Sequence, residues 1–285
     1  MKQLSIIIVT YNSCNLIFDC LKSIFDNNDL KENLEVIVID NNSSDFSRMS
    51  KEISKTYYEK VICVNSQNNG GYGFGNNIGM RISHAQITIV MNPDVRIIDK
   101  KLSCFIKPFN DKLLGLYGVC FVDGSLPFYL KPGCGNFLFE LFWKYSSKFL
   151  RYNPNTMFVS GSFLVFRKEA FSSAGQFDEN IFMYHEEADI INRIMACGYK
   201  VKLMTDISVL HLAHGRKFNE FLEKERLKSE LYYLKKYNID YKQTLKSQKN
   251  ILKLKIFVAK MLNKNKESLF VNQLNLLSDV INEID

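Results

Sequence analysis

The sequence predicts an α/β protein built on a parallel or mixed sheet covered on both faces. Three observations carry this. Four short runs, Leu4 to Val9, Leu34 to Asp40, KVICVN (60–65) and ITIVMN (87–92), are apolar without alternation, as in strands buried on both sides. Segments of helical period separate them. Each run ends in a cluster of Asn, Asp, Ser, Thr or Gly, and ligands of open α/β sheets bind at the carboxyl ends of the strands.

Taken in order, the first run leads into SCNLIFDCLKSIFDN (13–27). There Leu16, Cys20, Leu21, Ile24 and Phe25 share one helical face, and Asn12 or Ser13 can cap the start. After the second run, SSDFSRMSKEISKTYYE (43–59) reads as another helix with a Ser or Asp cap. After the third, GFGNNIGMRISHA (73–85) supplies a third helix. The alternation β-α-β-α-β-α-β implies right-handed crossovers. The strand ends are TYN (10–12), DNNSSD (40–45), NSQNNGGYG (65–73) and NPD (92–94). They collect chemistry-bearing residues along one edge.

The glycine-rich stretch NNGGYGFGNNIG (68–79) is not a dinucleotide fingerprint: from Gly71 the sixth residue is Asn76, and from Gly73 it is Ile78. The chain has no phosphate-binding P-loop motif either. The glycines permit close backbone approach to a ligand; a flexible Gly/Asn loop is the plainer reading. Asn92-Pro93-Asp94 has two readings as well, ordinary turn chemistry or delivery of Asp94 to a metal ion.

Beyond Asp94, CGNFLFELFWKYSSKFLRYN (134–153) mixes aromatic and basic residues. It suits either a membrane surface or a helix packed on the sheet. FVSGSFLVFRKEAF (158–171) reads as a strand running into a helix. In HEEADIINRIM (185–195), Glu186, Glu187 and Asp189 open a helix, where acids gain from the macrodipole. Phe182, Met183 and Tyr184 set an apolar wall before them, and such a wall makes a carboxylate a better base. His211 and His214 close the strand-like KVKLMTDISVLHLAH, and at that spacing only one of them faces a common site. Helical patterns with no catalytic signature fill the rest, including the basic amphipathic NILKLKIFVAKML (250–262).

The 285 residues, 46% hydrophobic, suffice for one sizeable core or one domain with a helical appendage. The apolar runs fall short of the about 20 residues that cross a bilayer. The start of the chain lacks a secretory h-region and cleavage site, so a cytoplasmic protein is expected. Seven scattered cysteines without a C-x-x-C argue for reduced thiols rather than disulfides or a zinc site. Of the net charge of +7, residues from Arg216 onward carry 15 Lys/Arg and 9 Asp/Glu, or +6. A basic tail on a near-neutral body suits an anionic surface. Nucleic acid is not expected as the partner, because no recognised motif or stacking platform accompanies the lysines.

Together, SIIIVTYNS, VIVIDNNSSD, NNGGYGFGNNIG, IVMNPDV, GSFLVFRKEAF, GQFDENIFMYHEEADIINRI and VLHLAHG resemble, in that order, the family 2 glycosyltransferases, most closely their bacterial rhamnosyltransferase-like branch. The resemblance runs from about Leu4 to Gly215. It implies the GT-A fold, a Rossmann-like mixed central sheet flanked by helices. Residues 1–215 would form this domain, with a nucleotide-binding half to about 98 and an acceptor half from 99. Residues 216–285 would form a basic helical extension. The implied reaction is inverting transfer from a nucleotide-sugar donor to a glycan or polyprenyl-linked glycan acceptor in surface polysaccharide synthesis, with possible peripheral contact at the inner membrane. The family's D-x-D turn is here Asn92-Pro93-Asp94. Asp94 and His211 are the implied ligands of Mg²⁺ or Mn²⁺, and Glu187 the implied base, where the family more often has aspartate. Glu186 and Asp189 would support it, and Gly161 would leave room for the acceptor. Thr10, Tyr11, Asn12 and Asp40 would line the base and ribose pocket, and Asn69, Gly71, Asn77 and Asn92 the sugar or diphosphate. A non-catalytic nucleotide-sugar-binding scaffold on a degenerate version of the fold is the competing reading; it predicts loss of Asp94, Glu187 or His211, and all three are present.

Overall fold

The structure, a computed structural model, describes residues 2–98, 101–134, 143, 145–212, 218–262 and 267–284. The chain forms two compact units, Met1–Tyr129 with Tyr152–Phe182 and Glu186–His214, and Leu130–Arg151 with Met183–His185 and Gly215–Asp285. Most of the aromatic-basic segment 134–153 (residues 135–142 and 144) lies outside the described residues, as does His214.

The first unit begins with the expected alternation: β1 (Leu4–Thr10), α1 (Cys14–Asp26), β2 (Leu34–Asp40), α2 (Phe46–Tyr57), β3 (Val61–Asn65), α3 (Gly71–Ile82) and β4 (Ile87–Met91). Then follow β5 (Val95–Arg96), β6 (Leu114–Phe121), β7 (Phe128–Leu130), β8 (Met157–Val159), β9 (Phe163–Arg167), α4 (Lys168–Ser173), α5 (Glu186–Ala196) and β10 (Lys200–His211). The eight-stranded sheet has the order β3-β2-β1-β4-β9-β6-β10-β5. It is mixed. β1 to β4 pair in parallel, β9 runs antiparallel between β4 and β6, and β10 returns parallel to β6. β2 and β4 are buried along their whole length, as their unbroken apolar runs require.

α1 starts without the expected side-chain cap. The Ser13 hydroxyl turns back to donate to the Tyr11 carbonyl at 3.0 Å. Asn12 adopts φ 50°, a left-handed conformation asparagine tolerates, and its backbone N–H donates to Ser43 Oγ at 2.8 Å. The strand end is therefore tied to the next strand's loop rather than to its own helix.

In the second unit, α6 (Glu220–Lys236), α7 (Tyr241–Met261) and α8 (Glu267–Ile284) bury Leu227, Leu245, Leu276 and Leu277 together. Asn219 caps α6 by accepting from the Leu222 N–H, and Asp240 caps α7 by accepting from the Gln243 N–H. Arg226 bonds Glu223 and Glu230, each at 2.8 Å. Among the described residues, no helix is long and apolar enough to cross a membrane.

Candidate active site

The turn after β4 is held from all sides. The Asn92 N–H donates to the Ser162 carbonyl at 3.0 Å, and the Val95 N–H to the Asn92 carbonyl at 3.1 Å. The buried Arg96 guanidinium donates to the carbonyls of Pro93 (2.7 Å), Val95 (2.9 Å) and Leu16 (3.1 Å). β5 pairs antiparallel with the end of β10, setting His211 opposite Val95. The Leu212 N–H donates to the Asp94 carbonyl at 2.9 Å. This two-strand clip brings residues 94 and 211 together, with Nε2 of His211 at 3.5 Å from Oδ2 of Asp94.

That separation is long for a hydrogen bond, and Nε2 of His211 is buried with no hydrogen-bond partner. Two donor atoms at this distance can be bridged by one cation with bonds of about 2.0–2.2 Å. The other ring nitrogen, Nδ1, lies 3.3 Å from Ser125 Oγ, and Ser125 in turn donates to Asp123. Such outer support orients a ligating imidazole. Among the described residues, no group of three or more His, Cys, Asp or Glu is arranged to hold a metal ion. A pair suits a cation that takes its remaining ligands from phosphate oxygens and water. The residues fit a divalent ion.

Glu186 and Glu187 open α5. Two successive non-glycine residues before them, Tyr184 (φ 70°) and His185 (φ 68°), are left-handed, a strained delivery of the kind found at functional sites. Glu187 accepts hydrogen bonds from its own N–H and from that of Gly161, yet burial outweighs both and raises it to about 7 from the ordinary 4.5. Glu186, only 3% exposed, is raised well above the carboxylate range by burial and then by the charge of Glu187. The two carboxyls are thus pushed apart: near neutrality Glu186 keeps its proton while Glu187 titrates. Such a split marks acid–base work. Burial also holds His185 neutral by lowering it to about 4.

Gly161 is bare for a reason the sequence did not disclose. A Cβ there would run into the carboxylate of Glu187. Since that obstacle is the end of a flexible side chain, Gly161→Ala is expected to fold with a melting temperature near wild type. Its turnover should fall at least about tenfold, because the carboxylate must leave its position. Parallel thermal melts and initial rates test this.

Tyr72 was not singled out by sequence reasoning. Its hydroxyl donates to the Gly161 carbonyl at 2.6 Å. Burial, then Glu187, Glu186 and Asp94, keep its phenol protonated. Its phenol therefore feels the charge of all three carboxyls. The available signal was a lone phenol inside the glycine-rich run. Gly71, just before it, has φ +89°, and a Cβ there would meet the Phe182 carbonyl, the same oxygen that accepts from the Tyr72 N–H at 3.0 Å. Here the obstacle is backbone. Gly71→Ala is expected to destabilise the protein by about 2 kcal/mol or more, read as a drop in the urea midpoint at constant m-value.

The expected nucleotide residues divide. Tyr11, 53% exposed, and Asn69, which is exposed and accepts from the Gly71 N–H at 3.2 Å, are open to a ligand. Asn12 and the half-buried Asn92 lie on the same strand ends. Thr10, Asp40 and Asn77 are enclosed. Asp40 is 0% exposed. Its carboxylate accepts from the Ser43 N–H (2.7 Å), the Ser43 hydroxyl (2.7 Å) and the Thr10 hydroxyl (2.9 Å). Both residues brace the loop after β2. Asn77 is 2% exposed. It donates to the Phe177 carbonyl and Glu179, both at 2.9 Å, and accepts from the Phe177 N–H at 3.0 Å. It clamps α3 to the 177–179 segment. Asp189, 0% exposed, pairs through Oδ2 with Arg193 at 2.6 Å, a support inside the helix.

The family model described as "Glycosyl transferase family 2" matches residues 5–175. Rhamnosyltransferase WbbL of Escherichia coli K12 is 24% identical over 239 residues, covering 76% of this chain and 88% of that protein. The dTDP-rhamnosyl transferase RfbF of Shigella flexneri is 28% identical over 220 residues, covering 72% and 67%. A poly(ribitol-phosphate) β-glucosyltransferase of Bacillus spizizenii is 32% identical over 93 residues, and the match spans only 15% of its length. In fold, the chain is similar to the mannosyltransferase PcManGT of Pyrobaculum calidifontis, solved with GDP-Man and Mn²⁺, at a TM-score of 0.60 and 16% identity over 97% of this chain and 70% of that one.

Proposed function

Because the chain belongs to glycosyl transferase family 2, we propose that it moves a sugar from a nucleoside-diphosphate donor to a hydroxyl of a glycan or lipid-linked glycan, with inversion at the anomeric carbon. The donor is dTDP-rhamnose or a UDP-hexose; the similarity to a dTDP-rhamnosyl transferase favours the first. The observation that carries this reading is the convergence at one sheet edge. Gly161 touches Glu187, its neighbour Ser162 bonds Asn92, and Asn92 is two residues from the Asp94–His211 pair.

In the reaction, Glu187 takes the proton of the acceptor hydroxyl. The acceptor oxygen bonds to the anomeric carbon from one face, and the bond to the nucleoside diphosphate breaks on the other, its electron pair leaving with the phosphate oxygen. A base near 7 is well placed to accept a proton at neutral pH. The protonated Glu186 and Tyr72 add no negative charge beside Glu187. Asp94 and His211 would hold Mg²⁺ or Mn²⁺, which when bound supplies the positive charge that stabilises a departing diphosphate. A histidine ligand favours Mn²⁺, the ion present in the PcManGT complex.

The test is a thermal-shift panel of dTDP, UDP, GDP and CMP, each with and without Mn²⁺, followed by transfer assays with the nucleotide that binds. A rise in melting temperature for dTDP or UDP that needs Mn²⁺ is the expected result. No shift with any nucleotide would overturn the donor reading.

A further inference from the structure

The second unit encloses a cavity of about 290 Å³, near the lower end of the range for small-molecule sites. None of the residues assigned to sugar transfer lines it. Its floor is a set of charge-assisted bonds. Arg226 donates to Glu223 and to Glu230, each at 2.8 Å. Glu230, 2% exposed, accepts from Gln248 with its other oxygen. Both oxygens of Glu230 are thereby taken, which fixes the floor in place. One wall is Lys131, only 4% exposed. It opens a tight turn in which the Cys134 N–H donates to the Lys131 carbonyl at 3.1 Å. Pro132 and Gly133 (φ +85°) occupy the two central positions, the arrangement of a type II turn. Lys255 of α7, Gln273 of α8 and the left-handed His185 complete the polar lining.

Three cations, Lys131, Arg226 and Lys255, line the cavity with two carboxylates, Glu223 and Glu230. Burial keeps His185 neutral. Among the described residues the lining therefore carries one positive charge in excess. Burial also lowers Lys131 to about 8 from the ordinary 10.5, the mark of an ammonium that its surroundings compensate less well than water does. We propose that this cavity binds a hydroxyl-rich ligand with a single carboxylate, a sugar acid, its anionic end at Lys131 and Lys255 and its hydroxyls on the amides, imidazole and carboxylates of the lining. The charge excess selects one negative charge. A phosphate monoester carries about −1.5 to −2 at neutral pH and would set the second charge beside Glu223 and Glu230. A neutral sugar would leave the Lys131 ammonium as poorly compensated as before. A fatty acid would press hydrocarbon on Gln248, Gln273 and Glu223, at the cost of burying polar groups without bonds. A hydroxyl both donates and accepts, which matches a lining that mixes amide, imidazole and carboxylate. The inference stands on the second unit alone and does not depend on the catalytic reading.

The experiment is isothermal titration calorimetry of the full chain at neutral pH with D-glucuronate, D-galacturonate, D-glucose and D-glucose 1-phosphate. At least one of the two sugar acids is expected to bind at a single site, at least about tenfold more tightly than glucose or glucose 1-phosphate. Lys131→Gln and, separately, Lys255→Glu should each weaken that binding at least about tenfold, the scale of a lost charge-assisted hydrogen bond. Lys255 is half-buried, so its variant decides the matter if Lys131→Gln does not fold. Asp94→Ala should bind the sugar acid like wild type, because the cavity and the catalytic edge share no residue. Binding of neither sugar acid, or equal binding of glucose or glucose 1-phosphate, would overturn the proposal. So would folded lysine variants that bind like wild type, or loss of binding in Asp94→Ala, which would put the sugar acid at the donor site instead.

Discussion

Replacing Glu187 by glutamine is expected to lower the transfer rate by about 10²–10⁴-fold, the range a positioned base contributes, while leaving Mn²⁺-dependent nucleotide binding intact. The amide keeps the size of the side chain but cannot accept the acceptor's proton. The pH dependence gives an independent signature. With Glu187 raised to about 7, wild-type kcat/KM should climb with pH up to about 7 and then level off, and the small residual rate of Glu187→Gln should lack that limb. Stability moves in the opposite sense. The folded state holds the Glu187 proton more tightly than the unfolded chain, whose carboxyl titrates near 4.5. The folded state therefore binds more protons between about 4.5 and 7, and the contribution of this group to stability declines as pH rises through that window. The stability difference between wild type and Glu187→Gln, from denaturant midpoints at pH 5 and pH 8, should shift in the mutant's favour at the higher pH. A flat difference together with wild-type turnover would remove Glu187 from the base role and reopen the choice with Glu186.

Asp94→Ala is the second large effect. The turn itself should survive, because its backbone is fixed by Arg96, Ser162 and Leu212. The melting temperature without ligand should therefore change little. What disappears is the Mn²⁺-dependent part of the nucleotide shift, with a fall in turnover of at least about 100-fold, comparable to deleting one electrostatic stabiliser of a developing anion. His211→Ala should act in the same direction but less, since one carboxylate beside the phosphates can still hold Mg²⁺. Arg96→Ala is the contrasting variant. It should lower stability and activity together, because it releases three carbonyls that the guanidinium now satisfies. If Asp94→Ala instead melted early and bound nucleotide and Mn²⁺ like wild type, Asn92-Pro93-Asp94 would be a structural turn and nothing more.

What could be read from the chain was whatever depends on local pattern. The apolar runs at β1, β2 and β4, the helices between them and the polar strand ends follow from periods of two and 3.6 and from turn chemistry. The grouping of Glu186 and Glu187 at a helix start is equally local. The inward insertion of β9, antiparallel between β4 and β6, was not legible, since an apolar strand carries no mark of its neighbour or direction. Nor was the fate of individual polar side chains. Asp40 and Asn77 have the residue types of ligand contacts, yet one braces a loop with Thr10 and Ser43 and the other clamps a segment 100 residues away. Tyr72 and Arg96 looked ordinary in sequence and became central only when Gly161 and the Pro93 carbonyl arrived beside them.

By itself, then, the sequence determined which elements form and which edge of the sheet gathers the polar strand ends, because hydrophobic period and strand-end composition are properties of neighbouring residues. Only the tertiary structure decided which of the many Asn, Asp and Glu side chains at that edge stay open and which are enclosed. Burial and hydrogen-bond partners come from segments distant in the chain. The same burial raises Glu187 to about 7 and so gives it the titration that the proposed base needs near neutral pH.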